Sequence, residues 1–145
     1  MFRRILVAFD GSQGAQDALA TAIGLRACCG ADLMTLTVYR HHSLLEGSMS
    51  MIRPEDPSLP DESMREHAKE IAEKAKSFAQ AAGADDTRAF VKGGQPARTI
   101  VKFAEEHDAD VIVVGSRGLG DVEGFLLGSV SHKITSLADC PVLVV

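Results

Sequence analysis

Short apolar runs alternate along this chain with longer stretches in which apolar positions recur at three- and four-residue intervals. A run that is apolar at successive positions suits a strand buried on both faces, and the three-four recurrence suits a helix with one buried stripe. Ile5-Leu-Val-Ala-Phe9 reads as the first strand and Asp10-Gly-Ser-Gln13 as a turn. A helix follows from about Ala15 to Cys28, stopped by Gly30, with Ala15, Ala18, Leu19, Ala22 and Ile23 as its inner stripe. Leu33 to Val38 is the second strand. A helix from Asp61 or Glu62 to Ala82, stopped by Gly83, carries Met64, Ala68, Ile71, Ala72, Ala75, Phe78 and Ala79 on one side. Its other side, Glu66, Lys69, Glu73 and Lys76, reads as a solvated face whose charges pair three and four residues apart. Thr87 to Val91 is the third strand, and Gly93-Gly94-Gln95-Pro96 turns the chain into a helix with proline near its first position and Ala97, Ile100, Phe103 and Ala104 facing inward. Asp110 to Val114 is the fourth strand, about Ser129 to Ala138 the last helix, and Pro141 to Val145 the fifth strand.

Strict alternation of strand and helix predicts an α/β fold: a single doubly wound domain over residues 1–145, with a five-stranded parallel sheet in the order 3-2-1-4-5 and helices on both faces. Strands one and four are then central. The chain reverses direction between them and opens a crevice beyond their carboxyl ends, where ligands bind in this architecture. Asp10 and the loop from Gly115 both end at that crevice. Tyr39 to Pro60 interrupts the rhythm with Pro54, Pro57, Pro60, Gly47, Met49 and Met51. A connection longer than ~12–15 residues serves either as a functional lid or as a tolerated surface insertion, and these residues favour neither.

Composition changes the picture in three places. With 145 residues, 46% hydrophobic and 24% charged, the chain has enough apolar material for one core without staples. A net charge of −5 without clustered Lys and Arg argues against a nucleic-acid partner held through a basic face. The apolar run near the start stops at Asp10, unlike a signal peptide, and no segment approaches the ~20 apolar residues of a membrane span, so the expected location is cytoplasmic with no membrane partner. Cys28, Cys29 and Cys140 form no disulfide framework and are expected as small interior side chains.

The candidate chemistry lies in Gly115-Ser-Arg-Gly118, followed after nine residues by Gly128-Ser129, between an apolar strand and an amphipathic helix. Glycines at a strand exit let the main chain turn and come close to a ligand, and a helix start presents free N–H groups and about half a positive charge. Such a place holds anions. Asp10 and Ser129 each have a plainer role as helix caps, and Arg117 as a solvated side chain. The lysine-bearing Gly-x4-Gly-Lys-Ser/Thr loop is missing, and Gly118-Leu-Gly120-Asp-Val-Glu-Gly124 follows the fourth strand instead of opening a dinucleotide-binding unit. No serine has a nucleophile-elbow pattern, His41, His42, His67, His107 and His132 show no recurring spacing, and the adjacent His41 and His42 read as a solvated loop pair in preference to a metal site, since first-neighbour side chains rarely converge on one ion.

These residues resemble the universal stress protein family, in particular its ATP-binding subgroup with the signature Gly-x2-Gly-x9-Gly-Ser. The likeness runs through Ile5 to Ser12, Gly94-Gln-Pro-Ala97, Asp110 to Gly118, Leu127-Gly-Ser-Val130 and Cys140 to Val145. The resemblance implies that Asp10 and Val38 lie near adenine and ribose. It further implies that Gly115 and Gly118 border ribose and phosphates, with Arg117 as a candidate phosphate neighbour. Gly128, Ser129 and Val130 then offer N–H groups, and Ser129 its hydroxyl, to the phosphate tail, and Mg²⁺ bridges phosphate oxygens. The function it implies is an ATP-binding stress-response switch; slow ATP hydrolysis and a nucleotide-free structural dimer are the alternatives. Pro141 to Val145, an apolar edge strand, is expected to pair with a second copy in a two-fold homodimer, as the resemblance also implies.

Overall fold

The computed structural model describes residues 1–40, 59–117 and 127–145, with side chains described from residue 62 in the second stretch. Along the chain the elements are β1 (Arg4–Ala8), α1 (Gln13–Cys29), β2 (Asp32–Tyr39), α2 (Leu59–Ala81), β3 (Arg88–Gly93), α3 (Pro96–Glu106), β4 (Val111–Val114), α4 (Ser129–Leu137) and β5 (Val142–Val144). The five strands form one parallel sheet in the order β3-β2-β1-β4-β5. This is the expected topology. Most of the 39–60 connection, including its prolines at 54 and 57, lies outside the described residues.

The apolar runs are continuous because both sheet faces are covered. Ile5, Val7, Phe9, Leu33, Val111 and Val113 look toward α1 and α2, which meet them with small residues such as Ala18, Ala22, Ala75 and Ala79. Leu6, Met34, Leu36, Ile112 and Val114 look the other way, toward Ile100, Phe103 and Ala104 of α3 and Ile134 of α4. Among the described residues Phe103 is the largest fully buried side chain, and His107 stacks on its ring at 3.8 Å between centroids.

Four expectations are corrected. α2 starts at Leu59, so Pro60 lies in its first turn, where a missing N–H costs nothing because no intrahelical acceptor waits for it. Phe78, assigned to the inner stripe of that helix, is exposed; Ala68, Ala72, Ala75 and Ala79 are buried, with Ile71 packed beside them. Cys28 is exposed and Cys29 and Cys140 half-buried, all three free, so the cysteines are not interior as a group. Burial raises the Cys140 thiol above its ordinary value. β4 begins at Val111, one residue later than expected, and the carboxylate of Asp110 just before it clamps the start of β1, accepting from the N–H groups of Arg3 and Arg4 at 2.5 and 2.8 Å. That clamp closes the end of the sheet opposite the crevice.

Candidate functional site

The crevice is built first at the turn from β1 to α1. Asp10 bends the chain by accepting from the Ser12 N–H at 2.9 Å, across Gly11 with φ +84°, a conformation that suits glycine. Ser12 caps α1, its hydroxyl accepting from Ala15 N–H at 3.1 Å. The cap is therefore Ser12 and not Asp10. One residue into the helix, Gly14 meets the chain leaving β4. A Cβ on Gly115 would stand 2.6 Å from the Gly14 carbonyl carbon and 2.7 Å from its oxygen, and a Cβ on Gly14 would run into the Arg117 carbonyl. Two bare backbones touch here, which only glycine at both positions permits.

The second wall is the start of α4. Gly128 is its N-cap, in extended conformation with φ −69° and ψ 165°, and Ser129 is the first helical residue, not the cap. The Ser116 carbonyl accepts from Gly128 N–H at 2.5 Å and from the Ser131 hydroxyl at 3.1 Å, while Ser116 N–H donates to Val145 O at 2.7 Å. Ser116 thus ties β4, β5 and the helix start together. Gly128 N–H, expected to face a phosphate, is consumed by this tie. Ser129, Val130 and Ser131 are the positions whose N–H groups have no acceptor within the helix, since the first intrahelical bond runs from His132 N–H to Gly128 O.

Between these walls lies a cleft of about 210 Å³. Of the residues singled out from the sequence, Asp10, Val38, Gly115, Arg117, Ser129 and Val130 line it. Gly128 stands behind the lining as the cap, and Gly118 lies outside the described residues. Leu36, Pro96, Ile100 and Val114 make one side apolar, and Arg40 adds a cation beyond the end of β2. Sequence reading missed these five because they come from β2, α3 and β4; only the predicted strand order, which sets β2 beside β1, could have pointed to Leu36 and Arg40. Among the described lining residues Asp10 is the one carboxylate, beside the cationic residues Arg40 and Arg117 and the positive end of α4. Such a cleft suits a ligand with a flat apolar body and an anionic tail. Among the described residues no three His, Cys, Asp or Glu side chains come together as a metal site. No helix among them is long and apolar enough to cross a membrane.

Comparison with known proteins agrees with this architecture. Universal stress protein YxiE of Bacillus subtilis is 38% identical over 148 residues, covering 100% of this chain and 99% of the relative. The structure of universal stress protein UspA from Lactobacillus plantarum superposes with a TM-score of 0.83 at 26% identity, covering 99% of this chain and 97% of that one. A universal stress protein in complex with cAMP gives 0.70 at 28% identity, with 99% and 96% covered. One from Archaeoglobus fulgidus in complex with dAMP gives 0.64 at 27%, with 99% and 97% covered. The profile described as Universal stress protein family matches residues 1–145. With the family profile matched over residues 1–145 and a relative 38% identical from end to end, this chain belongs to the universal stress protein family.

Proposed function

We propose that the cleft binds an adenine nucleotide, ATP with Mg²⁺, and that its occupancy switches a cytoplasmic stress-response protein between two states. The observation that carries the reading is the convergence of an apolar slot with the unsatisfied first turn of α4, both at the crevice between β1 and β4. Two family members of the same fold hold cAMP and dAMP, which share an adenine and a phosphate. The base fits the side formed by Leu36, Val38, Pro96 and Ile100; the phosphates fit Ser129, Val130 and Arg117. At about 210 Å³ the cleft is smaller than the ~300 Å³ at the low end of ligand pockets, so the phosphate tail runs out along its open edge. Asp10 alone makes a poor cation site, so Mg²⁺ would arrive with the nucleotide and supply charge neutralisation. A switch requires that the nucleotide bind one conformation better than the other; tight binding alone shifts nothing.

Calorimetry with ATP and Mg²⁺ on the wild type and Ser129→Asp tests the site. A carboxylate in the first turn of a helix is favourable to the helix, so the fold is kept, while it repels phosphate. ATP affinity is expected to fall by about tenfold or more, equivalent to ~1.4 kcal/mol. Wild-type protein that binds no adenine nucleotide, or a variant that binds as well as wild type, overturns the assignment.

A homodimer through β5 belongs to the same proposal. β5 is a three-residue edge strand, paired only to β4 among the described strands, and Leu143 in its middle is 37% exposed. An uncovered apolar edge favours pairing with a second copy.

A further inference from the structure

Arg40 was not singled out by any motif, yet it lines the cleft. Its guanidinium is exposed and has no hydrogen bond or ion pair among the described residues. The ladder holds the backbone up to it: Val38 is registered with Lys92 and Tyr39 with Gly93, and Gly94 N–H donates to Tyr39 O at 2.9 Å. Residues two apart on an extended chain share a face. Arg40 therefore follows Val38 on the side where Leu36 and Val38 face α3.

Strand order decides what this cation can reach. β2 and β4 stand on opposite sides of β1. With neighbouring strands ~4.8 Å apart, their exits are separated by about 10 Å. Arg117 and the start of α4 lie at the β4 exit, and Arg40 lies at the β2 exit, in the same cleft lining as Leu36, Val38, Pro96 and Ile100. We infer that Arg40 is a specificity-determining residue that lays its planar guanidinium on the exposed face of the nucleotide base, closing the slot whose opposite side is aliphatic. The inference rests on the nucleotide reading above. A guanidinium stacks on a π-face and keeps its charge in water, so it can cover the base without a buried counter-ion. Lysine has no such plane.

Wild type, Arg40→Ala and Arg40→Lys are titrated with ATP, adenosine and inorganic tripolyphosphate, with the Val38 and Ile100 methyl resonances as the readout. Thermal melts establish that the variants are folded, as expected for an exposed side chain. Arg40→Ala should weaken ATP and adenosine by the same factor, about five- to tenfold, leave tripolyphosphate unchanged, and be only partly rescued by lysine. Weakening of ATP and tripolyphosphate with adenosine unaffected makes Arg40 a phosphate contact and overturns the proposal. So does equal binding of all three probes by all three proteins. Wild type that binds neither ATP nor adenosine removes the nucleotide site itself, an outcome separate from any effect at position 40.

Discussion

Gly115 shows how a single residue serves both fold and site. Its carbonyl leads to Ser116, which ties β5 and α4, while the absence of a Cβ lets Gly14 come into backbone contact from the other side. Gly115→Ala must push α1 and β4 apart, because the new methyl would sit 2.6 Å from a main-chain atom that no rotamer change can move. Overpacking of this kind costs roughly 1–3 kcal/mol, to be read from urea denaturation, and ATP binding should weaken as the cleft is displaced. A variant as stable as wild type would contradict the contact. The importance of Gly115 was legible in the sequence from its place after an apolar strand. That of Gly14 was not, because between a predicted turn and a predicted helix a glycine reads as ordinary punctuation and carries no sign of what approaches it. Asp10 and Ser129 illustrate a subtler limit. Both residues stand at helix starts, and only the geometry assigns the caps to Ser12 and Gly128.

At the level of elements, the helix starts and strand ends are held by short polar devices. Ser12 caps α1 and Gln95 caps α3, the Gln95 side chain accepting from Arg98 N–H at 2.8 Å. Asp110 joins β1 to β4. Its carboxyl is held below the ordinary carboxylate range first by the hydrogen bonds from the backbone of Arg3 and Arg4, against a smaller opposing effect of burial, and then by the positive charges of the same two arginines. The folded-state value is thus lower than the unfolded one. The stabilisation is complete above the unfolded carboxylate range, near pH 3.9, and is lost as pH falls through the folded value. Asp110→Asn should therefore be less stable than wild type in urea at pH 7, with the gap closing below about pH 4; a gap independent of pH would show that the charge plays no part. The apolar runs and the helical stripes placed every element in order, since burial on two faces or one writes its period directly into the chain. Ends were less legible. The proline at position 60 reads as a breaker but is tolerated in a first turn, and Phe78 keeps helical spacing without being buried.

On the scale of the molecule, one end of the sheet is clamped through Asp110 and the other opens into the cleft, so the proposed ligand site lies at the strand ends and the proposed self-association at the β5 edge. An antiparallel pairing centred on β5 brings two copies of Leu143 near the two-fold axis. Leu143→Glu would then place like charges together, and sedimentation should show wild type as a dimer and the variant as a monomer at high micromolar concentration. A monomeric wild type under those conditions rules the pairing out. Alternation of strand and helix, together with the handedness of crossovers, restricted the fold to a doubly wound sheet, and the order chosen for it, β3-β2-β1-β4-β5, is the one the structure has. Those features follow from periodicity, which is local and survives in a linear string. Only the folded arrangement decided that Gly14 abuts Gly115, that Ser116 consumes the Gly128 N–H, and that Arg40 belongs to the cleft. Each of these joins residues far apart in the chain through contact in space, and contact in space is not written in the spacing of any one segment.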